Sequence, residues 1–179
     1  MLHNLLIYRF LIINLLAVLG GVIAWDRDWL QPIYANDFTY ITWGITSLFI
    51  VSWLTTLRRI VRVGTELNLT KASPRIIDKP VARKAWAKIA WLRDVNSWLV
   101  GLGLLGTIIG FKYALSGVDS SSLATAEGVS NAIGPLMEGM RVALNTTIAG
   151  SILSMWNEVN QRILRTGMTC LIEDCDPEL

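Results

Sequence analysis

Charge is what this sequence has least of. Only 17% of its 179 residues are Asp, Glu, Lys or Arg, against 53% hydrophobic, where a soluble domain carries about 25% charged residues. So little charge excludes a disordered chain, a coiled coil and an ordinary cytosolic enzyme. A net charge of +2 is too small to attract nucleic acid on its own. Cysteine and histidine are scarcer still: Cys170, Cys175 and His3 are the full set. The C-x4-C spacing has no second pair and no nearby imidazole, so a zinc site lacks ligands. The two thiols read as part of a loose tail, bridged only if that tail meets an oxidising compartment.

What is present is apolar and aromatic. Eight tryptophans against four phenylalanines suit a protein with membrane–water interfaces, where indole rings sit well. The first apolar run follows Arg9 and resembles a signal peptide, but further apolar segments come next in place of a soluble domain, so it reads as a retained span. Four segments have the ~20 residues that a span requires: 5–24, 38–57, 97–115 and 136–156. The second contains no charge. The fourth is the wettest, with Glu138, Arg141, Asn145, Thr146, Thr147, Ser151 and Ser154.

Positive residues orient the set, because Lys and Arg accumulate on the cytoplasmic side. Placing the N-terminus, residues 58–96 and the tail inside puts thirteen of the sixteen Lys/Arg there. Only Arg27, Lys112 and Arg141 then lie at or near the outer edge. The expected fold is therefore all-α and integral to the membrane, with four transmembrane helices and both termini cytoplasmic. It divides into a peripheral hairpin (1–57), a short cytoplasmic helical region (58–96), a core hairpin (97–157) and a cytoplasmic tail (158–179). Arg58, Arg59 and Arg62 read as a stop-transfer and lipid-headgroup anchor. Beyond Pro74 and Pro80, Val81, Ala85, Ile89, Leu92 and Asn96 share one face of an amphipathic helix that runs into span three. Gly134-Pro135 suits the start of the fourth helix.

Spans three and four carry the chemistry. Gly101, Gly103 and Gly106 spell G-x-G-x-x-G, and Asp119 follows at about the distance of a ribose-binding acid. The run lies inside an apolar helix with no preceding strand, so dinucleotide binding is rejected. Gly103, Gly106, Gly110 and Ala114 form a small-residue stripe instead, which lets another backbone approach closely. Gly139, Ala143, Thr147, Gly150 or Ser151, and Ser154 repeat it in span four. Each stripe holds a hydroxyl, Thr107 and Thr147. Two readings stay open: they line an ion path, or they bond back to the carbonyl four residues earlier. Glu138 and Arg141 read as an i, i+3 pair near the outer edge. No Asp or Glu lies deep within any of the four segments, so if the chain conducts ions the proton-carrying carboxylate must come from a partner. No nucleophile or general base accompanies the glycines, which excludes an enzyme.

The stretches LGLLGTIIGFKYAL (102–115) and GMRVALNTTIAGSILS (139–154) resemble the two core helices of the MotA/TolQ/ExbB family. Its motifs have the forms G-x-x-G-T-x-x-G and G-x-x-x-A-L-x-x-T-x-x-G, and the likeness covers about 60 residues. The four-span layout is similar to the stator A subunits. The resemblance implies a homopentamer in the bacterial inner membrane around a pair of single-span MotB/TolR/ExbD-like partners. Each partner supplies an aspartate past which H⁺ or Na⁺ flows, with no resident cofactor, and ion flow turns the ring. It also implies that Thr107 and Thr147, with Thr146, line the ion path. Gly103, Gly106, Gly110, Ala143 and Gly150 would then serve helix packing. The Thr146–Thr147 pair leans towards sodium. Val100 replaces the proline that usually opens the first motif, and Val142 replaces a glutamate found in some members. The alternative is a small structural or assembly membrane protein that conducts nothing.

Overall fold

The computed structural model describes residues 2–35, 37–72, 79–116, 118 and 125–173. Cys175, Pro74 and Asp119 lie outside the described residues, as do the side chains of Val81, Ala85, Ile89 and Cys170. All described secondary structure is α-helical: α1 (Leu2–Asp26), α2 (Gln31–Ala35), α3 (Ile41–Ala72), α4 (Lys79–Ser116) and α5 (Ala126–Glu173). Three of these helices are long and apolar enough to cross a membrane, over Ile7–Asp26, Ile41–Val63 and Trp91–Ser116. The chain thus has the character of a multi-pass membrane protein. α5 does not reach that hydropathy.

The helix starts follow from local chemistry. Asp37 opens α3: its Oδ2 accepts the Thr42 amide at 2.7 Å, and its Oδ1 accepts the Thr39 amide at 3.0 Å and the Thr39 hydroxyl at 2.5 Å. These bonds satisfy amides that have no partner within the helix. α4 begins at Lys79-Pro80, where a proline in the first turn forfeits no helical bond. It then continues unbroken to Ser116 for 38 residues, about 57 Å at 1.5 Å per residue. That exceeds the ~30 Å of a bilayer's hydrocarbon.

The start expected at Gly134-Pro135 is corrected. α5 begins nine residues earlier, at Ala126, and Pro135 is inside the helix. Thr125 is the reason: its Oγ1 accepts the Gly128 amide at 3.2 Å, and Glu127 sits in the first turn. A threonine cap followed by an acid favours a helix N-terminus. Together they set the start, and the helix absorbs the one amide that Pro135 lacks.

Two compact units cut across these helices. The first comprises Met1–Ile23, Phe49–Asn96 and Met155–Leu179. In it Phe10, Ile60, Val63, Leu92, Leu164 and Met168 form a buried apolar cluster, with Ile7, Trp53, Leu57 and Ile163 packed against it. α1 here is inverted relative to a helix of a water-soluble protein. Leu11, Leu15, Leu16, Leu19 and Val22 are exposed, whereas Asn14 is buried. An exposed apolar surface of that extent marks contact with something other than water.

The second unit comprises Ala24–Leu48 and Ser97–Ser154. α4 and α5 run antiparallel through it along the glycine stripes. α2 is tied down around them. Tyr34 packs edge-on against Trp43 at 5.3 Å and shares a 3.0 Å hydrogen bond with Thr46, while Asn145 Nδ2 donates to Pro32 O at 3.4 Å. Phe38 stacks at a tilt on Tyr113, 4.5 Å between ring centres.

Candidate functional site

The seam between α4 and α5 is built from missing side chains. A Cβ on Gly110 would lie 2.7 Å from Gly139 O and 2.8 Å from Ala143 N. One on Gly139 would lie 2.5 Å from Gly110 O, and one on Gly150 would lie 2.8 Å from Leu99 O. At Gly103 the nearest atom is Thr146 O at 3.2 Å. These neighbours are backbone atoms that cannot swing away, so glycine is required for the two helices to pack this closely. Gly101 and Gly134 face open space and take no part. Ala143 is buried in the same seam.

The three threonines divide between two roles. Thr146 is fully buried, and its Oγ1 bonds back to Val142 O at 3.1 Å and Ala143 O at 3.0 Å. It fills the notch left by Gly106, where an added Cβ would sit 2.5 Å from Thr146 Oγ1. Thr107 and Thr147 meet each other instead, hydroxyl to hydroxyl across the seam. Thr107 Oγ1 lies 3.1 Å from Gly103 O and 3.4 Å from Ala143 O. Thr147 Oγ1 lies 3.2 Å from Ala143 O and 3.3 Å from Gly103 O. Each hydroxyl therefore reaches both the carbonyl four residues back on its own helix and the matching carbonyl of the other helix.

Those contacts gather four oxygens that hold only two hydroxyl protons between them. Such a cluster is electron-rich, and hard cations take oxygen ligands of this kind. Thr107 is half-buried and Thr147 is exposed, so the cluster opens onto the surface of the chain. Glu138, Arg141 and Asn145 lie apart from it. They line an open groove of about 970 Å³ on α5, together with Pro135, Met137 and Leu144.

A second polar assembly, within the first unit, is absent from the sequence reading. Asn14 Nδ2 donates to Asn160 Oδ1 and to Phe10 O, each at 2.8 Å. Its Oδ1 accepts Trp53 Nε1 at 2.7 Å and Trp156 Nε1 at 3.1 Å. Ser52 Oγ donates to Asn157 Oδ1 at 2.9 Å, and Asn157 Nδ2 to Asn96 Oδ1 at 2.6 Å. Gln161 Nε2 donates to Leu92 O at 2.6 Å. The assembly joins α1, α3, α4 and α5; Asn14, Asn157, Asn160 and Gln161 are almost wholly buried and Asn96 is half-buried. One signal could have revealed it: Asn157, Asn160 and Gln161 recur at the three- and four-residue steps that share a helix face.

Outside these assemblies, the structure sets the acidity of Asp37. Burial pushes its carboxyl up, but the hydrogen bonds from Thr39 and Thr42 outweigh that and hold it below the ordinary carboxylate value. Taken together, the described residues define an all-helical protein with three helices long and apolar enough to span a membrane and a glycine-packed seam that carries a hydroxyl pair. The chain matches no protein-family model, no curated protein and no solved structure.

Proposed function

We propose that the chain is the ion-conducting ring subunit of a rotary or energy-transducing motor in the bacterial inner membrane. On this reading it uses a proton or sodium gradient together with a single-span partner that carries an aspartate. The observation that carries the reading is the Thr107–Thr147 hydroxyl pair with its two carbonyls, set in a seam that glycine keeps narrow. Side chains that merely tighten a helix pair bury their hydroxyls, as Thr146 does. Thr147 is an exposed residue, and its hydroxyl joins Thr107 and two carbonyls at the edge of the seam, where a passing cation would meet them. The family resemblance supports five copies around two partner helices. The positive-inside distribution supports four crossings, with α5 as the fourth and both termini in the cytoplasm.

Replacing Thr147 by the nearly isosteric valine tests this. The chain is co-expressed with the protein of the adjacent reading frame, and ion flux into proteoliposomes is measured alongside assembly of the complex. Loss of flux from an intact complex is the expected result. Unchanged flux overturns the ion path, and a chain that never binds a single-span protein overturns the ring. The structural or assembly reading has its own support, since both hydroxyls also bond back along their own helices. Unchanged activity of the valine variant would favour it.

A further inference from the structure

Pro135 stands inside α5, and the seam fixes its height. A Cβ on Gly139 would lie 2.5 Å from Gly110 O and 2.6 Å from Ala114 Cβ, so Gly139 is level with Lys112, midway between them. The two helices run antiparallel, so four residues back along α5 match four residues forward along α4. Pro135 is therefore level with Ser116, where α4 ends. Residues 126–134 stand beyond that end, about 13.5 Å of helix at 1.5 Å per residue. Of these only Gly128 and Ala132 are buried, and both are small. From Gly139 onward α5 is pinned, since a Cβ on Gly139 or Gly150 would strike the backbone of α4.

Aromatic rings mark this height as a membrane surface. Phe38 stacks on Tyr113 at 4.5 Å, and Phe38, Tyr40, Trp43 and Tyr113 are exposed, as rings are where hydrocarbon meets water. Residues 126–134 then project from that surface into water. Proline has no N–H, so Asn131 O, four residues earlier, loses its helical bond. A carbonyl without a partner is costly in hydrocarbon, but Asn131 is exposed at the wet end. Helices bend at such a missing bond, and Gly134 beside it has open space where a side chain would be. We propose that Gly134-Pro135 is a hinge at the membrane surface, and that residues 126–133 form a short helical flap that swings about it over the end of α4. The groove of about 970 Å³ on α5 begins at the same point, with Gly134 and Pro135 in its lining. The swing does not depend on the ion-conducting reading, but its use as a gate over the seam rests on that reading.

Spin labels on Gly101→Cys and Ser130→Cys measure the swing by double electron–electron resonance. The full chain is used in lipid nanodiscs, with Cys170 and Cys175 replaced by serine. Both labelled positions are exposed. Gly101 is fifteen residues before Ser116 and Ser130 five before Pro135, so the upright flap holds them about 30 Å apart along the helix pair. A second population, shorter by about 5 Å or more, is expected, and Pro135→Ala should reduce its share at least three-fold. A single distance near 30 Å in the parent overturns the hinge. So does a shorter population that Pro135→Ala leaves unchanged, which is fraying of the helix end. Ion flux into proteoliposomes separates this from the ion path. Two distances with flux that Pro135→Ala leaves unchanged keep the hinge and remove the gate. A single distance with flux lost in Thr147→Val keeps the ion path and removes the hinge.

Discussion

Replacing Asn14 by leucine should destabilise the protein, although it makes an apolar helix more apolar. Asn14 uses all four of its hydrogen-bonding positions, on Phe10 O, Asn160 Oδ1, Trp53 Nε1 and Trp156 Nε1. Leucine removes all four bonds, but the losses differ. Phe10 O is a helical carbonyl that keeps its bond along the helix. Asn160 Oδ1 and the two indole N–H groups are left without Asn14 and have no water to turn to in an apolar surrounding. Side-chain hydrogen bonds between membrane helices contribute about 0.6 kcal/mol each and at most about 1.7. Three lost partners therefore amount to about 2–5 kcal/mol. Reversible unfolding in mixed micelles, followed by far-UV circular dichroism and tryptophan fluorescence, measures the loss. The coupling is checked by a cycle with Trp53→Phe, expected to return about 0.6–1.7 kcal/mol for that pair. A leucine variant within 0.5 kcal/mol of the parent, or more stable than it, would refute the claim that buried amides hold these helices together.

The glycine seam gives a graded set of outcomes. Gly110→Ala forces a methyl to 2.7 Å from Gly139 O and should cost about 1–3 kcal/mol, as overpacking does. Gly101→Ala and Gly134→Ala meet open space and should be neutral or stabilising by up to about 1 kcal/mol, since alanine is the better helix former. Thermal unfolding in detergent separates the two groups. Thr125→Ala should lose about 1 kcal/mol with the α5 cap, read as earlier amide exchange in residues 126–130. Asp37→Asn should weaken the start of α3, and its effect should depend on pH. The folded carboxyl is held below its ordinary value, so its stabilisation is full above the unfolded value of about 4. It is lost as pH falls through the lower folded value. Parent and Asp37→Asn stabilities, measured by chemical unfolding at each pH, should therefore converge only in acid below about pH 4. Convergence at neutral pH would contradict the cap.

Much of the fold is legible in the sequence because lipid-facing helices hide nothing. α1, the apolar part of α3 and the apolar part of α4 show themselves as runs with little or no charge. The small-residue stripes are legible for a similar reason: close backbone approach tolerates few residue types, and their spacing repeats with the helix. The roles of adjacent threonines are not legible. Thr146 and Thr147 both bond back to a carbonyl one turn earlier, and nothing local distinguishes them. One helix step of 100° turns Thr146 onto Gly106 and Thr147 onto Thr107. The sequence suggests a start for α5 at Gly134-Pro135, the stronger punctuation mark, whereas the Thr125 cap, ten residues before Pro135, governs it. The amide assembly escaped because each member, read alone, is a single polar residue in an unremarkable place. Asn14 joins Asn160 across 146 residues of sequence, and no periodicity links positions so far apart.

α5 shows why composition ranks a helix of this kind last. Hydropathy averages over two faces that meet different surroundings. On the inner face Thr146, Asn157, Asn160 and Gln161 are buried, and each donates a hydrogen bond to another group of the chain. Their polarity is therefore never presented to lipid, yet it counts fully against the helix in any sum over residues. On the outer face Met137, Leu144, Ile148, Ile152 and Met155 are exposed, as in a helix built to lie against hydrocarbon. Glu138 and Arg141 are the charges that interrupt this stretch. An average over both faces therefore understates the apolar surface that α5 presents, because its polar residues are spent on bonds inside the chain.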